Sequence, residues 1–129
     1  MSFDWTGYLD LARELASATG QEARLRTAIS RAYYAAFHQA RIHLEREGVA
    51  MHHNGSDHGR VKRAFRDNPD PTRGWIGATL ERLLEDRNQS DYDDWVADGW
   101  LAKAAEAAVE DAAEVILALA ALAGTPEPR

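Results

Sequence analysis

A chain of 129 residues is one domain's worth of sequence, and its 45% hydrophobic and 28% charged shares are those of a folded protein. With no cysteine there is neither a disulfide framework nor a thiolate metal site. The net charge of −6 argues against a surface that coats nucleic acid broadly, while leaving room for a local basic site. The segment from Met1 to Trp5 has no basic region followed by an apolar run, so it does not read as a signal peptide. No stretch nears the roughly 18 apolar residues of a membrane span. The expectation is a cytoplasmic protein with no membrane attachment.

Hydrophobic spacing predicts a first helix from Asp4 to Ala18, with Trp5, Tyr8, Leu9, Leu11, Ala12 and Leu15 in one stripe, ended by Thr19-Gly20. A second helix runs from Gln21 to Glu47. Its apolar positions Leu25, Ile29, Ala32, Tyr33, Ala36, Phe37, Ala40 and Leu44 recur every three or four residues, which makes one continuous face, and Gly48 stops it. A helix this long predicts the spine of a bundle. After a His-rich linker, Ser56 or Asp57 caps a short third helix to Arg66, with Val61 and Phe65 inward. Asn68-Pro69-Asp70-Pro71 breaks the chain. A fourth helix is predicted from Trp75 to Asp86, burying Ile76, Leu80, Leu83 and Leu84, followed by a polar stretch from Arg87 to Asp94. Asp98 is read as the cap of a last, alanine-rich helix from Gly99 to Ala123, with Leu101, Ala105, Ala108, Ala112, Val115, Ile116, Leu119 and Leu122 on its stripe. The reading is all-α: a four- to five-helix up-and-down bundle over residues 1–124, with a frayed tail from Thr125 to Arg129.

There is no Gly-rich phosphate loop, no His-Glu-x-x-His and no nucleophile elbow. His52, His53 and His58 lack a carboxylate at second-ligand spacing, so neither a metal nor another cofactor is expected. Arg60, Arg63 and Arg66 line one side of the third helix, with Asp67 placed to neutralise Arg63 at i+4. Tyr33 and Phe37 are core residues that stack along the long helix, and Tyr34 points about 100° away, toward a possible interface between two copies. Ser30 and Arg31 stand out among these apolar neighbours, because a half-buried arginine needs an anionic partner, for which an Asp or Glu from another helix or another chain is the first guess. Around Arg87-Asn88 the simplest reading is structural: Asn88 ends a helix, Arg87 favours its negative end, and Tyr92 packs on the bundle.

Taken together, Ser30-Arg31-Ala32-Tyr33-Tyr34-Ala35-Ala36-Phe37, His58-Gly59-Arg60-Val61 with Phe65, and Leu84 through Arg87-Asn88 to Asp91-Tyr92 carry a further signal. In this order and at these separations they resemble a small stand-alone prokaryotic HEPN protein, over nearly the whole chain. The resemblance implies a helical bundle that dimerises and brings the Arg-Asn stretches of two chains to a shared cleft. Many HEPN proteins are metal-independent ribonucleases of toxin–antitoxin or antiphage systems, encoded beside a minimal nucleotidyltransferase that neutralises them. There an Arg-x(4–6)-His motif acts, the arginine holding the scissile phosphate and the histidine moving a proton. In this chain the corresponding positions hold Tyr92, Asp93 and Asp94. A phenol, with an ordinary pKa near 10, is a poor base at neutral pH. In some relatives a tyrosine near the motif is the antitoxin's adenylylation target, at a different offset from the arginine than Tyr92.

The resemblance therefore implies a dimeric, RNA- or nucleotide-binding component of a toxin–antitoxin or defence system, with Arg31, Tyr34, His58, Arg87 and Asn88 as candidate ligand contacts. An alternative is an active ribonuclease that uses Arg87 and Asn88 with Asp91, Tyr92 or His58 in place of the missing histidine. A third reading is a non-catalytic, partner-binding bundle in which Arg87 is an ion-pair residue.

Overall fold

Five helices and no strand make up the described part of the computed structural model, which covers residues 1–17 and 20–124. They are α1 (Gly7–Ala16), α2 (Glu22–Arg46), α3 (Asp57–Arg66), α4 (Pro71–Tyr92) and α5 (Trp100–Leu122). The all-α bundle expected from the sequence is what forms. The predicted last residue of the first helix, Ala18, the Thr19 stop and the C-terminal tail lie outside the described residues. No described helix is long and apolar enough to cross a membrane.

The spine is α2, which touches each of the other four helices. All eight positions on its predicted face are buried, and Tyr33 stacks on Phe37 at 5.8 Å between ring centroids. Helix α1 runs antiparallel to α2, since Trp5 meets His38 while Tyr8 meets Arg31. Asp4 lies outside α1 and instead accepts hydrogen bonds from the Thr6 backbone N–H and hydroxyl. Leu11, expected in the stripe, is 39% exposed.

Helix α4 also runs antiparallel to α2. Contacts step down the pair from Arg73 with Glu47, through Tyr34 with Arg87 and Ser30 with Asp91, to Arg26 with Ser90. It is much longer than the predicted 75–86. Asp70 caps it by accepting from Arg73 N at 2.9 Å, and Pro71 occupies the first turn, where no N–H is required. At the other end, Arg26 Nη1 donates to the carbonyls of Ser90 (2.8 Å) and Asp93 (2.7 Å), putting a cation on the negative end of the helix. Arg87, Asn88 and Asp91 are therefore helical rather than part of a turn, and Asn88 terminates nothing. Nor does Asp98 cap α5: Gly99, with φ +79°, precedes it without a side-chain cap.

Helix α3 rests on α4 and α2 alone. It approaches α4 so closely that a Cβ at Gly77 would lie 2.3 Å from Arg66 N and 2.6 Å from Arg66 Cα. Buried Asp57 opens α3 and accepts the backbone N–H groups of His52 (3.0 Å) and His53 (2.7 Å). The His52 donor foremost, these hold its carboxyl below the ordinary range against the opposing effect of burial. Of the predicted arginine row, Arg60 pairs with Asp57 and Arg66 with Glu81, whereas the Arg63–Asp67 pair does not form among the described residues.

Candidate anion-binding site

The antiparallel α2–α4 pair brings together the residues singled out on both helices. Tyr34 is the hub. Its hydroxyl accepts from Arg87 Nη2 at 2.8 Å, and the Arg87 guanidinium carbon lies 5.1 Å from its ring centroid. The Arg31 guanidinium is also 5.1 Å from that centroid and 4.8 Å from the ring of Tyr8, so two aromatic faces hold it.

Among the described residues only one carboxylate lies by the two cations, and it pairs with Arg87 alone. Asp91 Oδ2 lies 2.9 Å from Arg87 Nε and accepts from Ser30 Oγ at 3.2 Å, and Arg31 Nη2 reaches that same hydroxyl at 3.2 Å. Of the Asp or Glu partner expected for Arg31, the one that this chain could itself supply is not found: no described carboxylate of the chain lies within ion-pair distance of it. The Nε–H of Arg87 is not aimed at Asp91, and neither it nor the buried Nε–H of Arg31 has a hydrogen-bond acceptor among the described residues. Undonated, buried N–H groups of a cation are a cost that the folded chain leaves standing.

His58 joins from the start of α3. Its Nδ1 is 2.5 Å from the Tyr33 hydroxyl, and its ring lies 6.0 Å from that of Tyr34 and 4.4 Å from that of Phe37. Burial first, and then the charge of Arg87, push its pKa down against the pull of Asp57, so the ring is neutral at pH 7.

The remaining candidates are more peripheral. Asn88 Oδ1 accepts from Arg87 Nη1 at 3.0 Å on an exposed side of α4. Tyr92, expected to pack on the bundle, is 72% exposed, with the Arg87 guanidinium 5.5 Å from its ring. His52 and His53 are exposed loop residues, and no group of three or more His, Cys, Asp or Glu among the described residues is placed to hold a metal. Sequence reasoning missed Tyr8, which carries the second face for Arg31, and Arg26, which keeps the end of α4 helical. Their distance along the chain from the motif gives no signal of either role.

No family model matches this chain, and neither a curated protein nor a solved structure matches it. The chemistry of the cluster itself therefore has to carry the functional reading. That chemistry is a guanidinium pair in surplus over its single carboxylate, flanked by phenol rings and a neutral imidazole, in a protein whose overall charge is negative.

Proposed function

We propose that this is an RNA- or nucleotide-binding protein whose Arg31 and Arg87 grip a phosphate, with Tyr34 setting their spacing. The observation that carries the reading is the cation left over: of the two guanidiniums around one tyrosine, Arg87 alone is paired with a carboxylate among the described residues. An incoming phosphate supplies the missing negative charge, and arginine suits a phosphate better than lysine because its planar fork can donate in a bidentate way. The motif resemblance to HEPN proteins adds a homodimer and a place in a toxin–antitoxin or defence system beside a minimal nucleotidyltransferase.

The test is fluorescence anisotropy with labelled single-stranded RNA. Arg87→Ala and Arg31→Ala are each expected to weaken binding roughly tenfold or more, since a charge-assisted contact contributes about 1.5–3 kcal/mol. Unchanged affinity in both variants at low salt would sink the proposal. Light scattering tests the dimer, which a monomer at micromolar concentration would exclude.

One observation favours the ribonuclease reading as a second choice: His58 stands in the same cluster as Arg87, although the Arg-x(4–6)-His spacing is absent. Metal-independent cleavage of single-stranded RNA, abolished by both Arg87→Ala and His58→Ala, would establish it.

A further inference from the structure

We infer that a neighbouring cleft, which shares His58 with the arginine cluster, is a pocket for the carbonyl edge of a nucleobase, with His38 and His58 as its neutral hydrogen-bond donors. The ligand class rests on the RNA- or nucleotide-binding reading above; the donors follow from the protein alone.

The cleft, of about 250 Å³, lies between Trp5, Phe37, His38, Arg41, Asn54 and His58. That is the space of roughly eight waters, enough for one flat ring system and too little for a polypeptide segment. Its walls are flat and largely apolar. Trp5 stacks on His38 at 3.6 Å and 20°, and Phe37 lies 4.9 Å from His38 and 4.4 Å from His58.

Both imidazoles have their proton placed by a neighbour. Arg41 Nε–H reaches His38 Nδ1 at 3.2 Å, and since an arginine has no acceptor, that nitrogen must be bare. The ring is neutral: burial above all, then the charges of Arg41, His58 and His53, bring its pKa down to about 4. The proton is therefore on Nε2. The Tyr33 hydroxyl, 2% exposed as a residue, has His58 Nδ1 as its only partner among the described residues. Burial keeps this phenol protonated, so its O–H donates to Nδ1 and leaves His58 with its proton on Nε2 as well. Neither Nε2 makes a hydrogen bond to a described residue, and neither is sealed from solvent.

The charges around the cleft point to a neutral acceptor. Arg41 is paired with Glu45, which also accepts from His53 Nε2 at 3.1 Å, and Asp57 is buried at its edge. With no surplus cation here, a phosphate belongs with Arg31 and Arg87. Two neutral N–H donors beside flat rings suit a carbonyl oxygen, as uracil and guanine present and adenine does not. The same wiring leaves His58 no free bare nitrogen, because Nδ1 is occupied by Tyr33, so in a ribonuclease it would serve through its Nε2–H as a proton donor rather than as a base.

The test is a titration of 15N-histidine-labelled wild-type protein with uridine, and separately with adenosine, followed by NMR. Expected are bare Nδ1 and protonated Nε2 nitrogens on both rings of the free protein, and uridine-induced shifts at both Nε2 that adenosine does not reproduce. His38→Phe keeps a flat ring on Trp5 and is expected to weaken uridine binding about 3- to 10-fold. If that variant does not fold, the wild-type titration decides. A protonated Nδ1 on either ring, equal responses to the two nucleosides, or no response to uridine overturns the inference. Uridine carries no phosphate, so its result is separate from that of the arginine variants: either site can fail while the other stands.

Discussion

Gly77 and Gly74 lie one turn apart in α4, and replacing each by alanine should move stability in opposite directions. Alanine in a helix interior is normally favoured over glycine by about 0.5–1 kcal/mol. At Gly74 the new methyl would meet only the Asn68 carbonyl oxygen, at 3.8 Å, an ordinary contact, so Gly74→Ala should stabilise by about that amount. At Gly77 it would sit 2.3 Å from Arg66 N, 2.6 Å from Cα and 2.7 Å from Cβ, against the roughly 3.5–4.0 Å of unstrained contact. Two of these atoms are backbone, so no rotamer change relieves the overlap and α3 must back away by about 1 Å. A gap of that size forfeits a quarter to a half of the dispersion energy of each contact it opens, and those contacts seat Val61 and Phe65, both fully buried. Overpacking of this kind costs about 1–3 kcal/mol or somewhat more. After the gain in helix propensity, Gly77→Ala should be about 1–2 kcal/mol less stable than wild type. Urea unfolding followed by circular dichroism measures both variants. A Gly77→Ala protein as stable as wild type, with the same m-value, would refute the claim that a missing Cβ sets the α3–α4 approach.

Acid should weaken the fold through His38. Its pKa is about 4 in the folded chain against 6.5 for a histidine in water, so the unfolded chain takes up the proton first, and stability present above pH 6.5 is lost as the pH falls toward 4. The expected loss between pH 7.5 and pH 5 is about 2 kcal/mol. His43 and His58, both lowered chiefly by burial, add in the same direction. Urea midpoints measured across that range should flatten in a His38→Gln variant, and an unchanged slope would rule out this source. Arg26→Ala removes the donor to the last carbonyls of α4 and should cost about 1–2 kcal/mol. It should also raise amide exchange from Ser90 to Tyr92 ahead of the rest of α4, which a uniform change would contradict.

Much of the fold was legible because α2 obeys one rule over its whole length. Each predicted face position is buried, and a helix bearing such a face needs partners all round it. The fourth helix shows where pattern reading stops. From Arg87 to Tyr92 the residues are polar, and polarity at the end of an apolar run reads as a turn. What keeps them helical is Arg26, more than sixty residues away, together with the Ser30–Asp91 contact, and neither leaves a local trace. At the other end the signal was present but misassigned: Asp70-Pro71 is a helix start as much as a chain break. The candidate site was legible residue by residue, since Arg31, Tyr34, His58, Arg87 and Asp91 were each singled out and the structure gathers them. The missing counter-charge at Arg31 was not, because periodicity says nothing about which carboxylates lie opposite. His38 was passed over for the same reason, its interest arising only when Trp5 and Arg41 meet it.

The uneven support of α3 sets an order of local opening. Every other helix packs on at least one element besides α2 and α4, whereas these ten residues rest on those two alone. Detaching α3 exposes the least core, so it is the natural low-energy opening unit of the domain. Such an opening would carry His58 away and leave Arg31, Tyr34 and Arg87 in place on the paired long helices. The proposed phosphate grip would then outlast the proposed base pocket, and a ligand held by both would lose its contacts in that sequence.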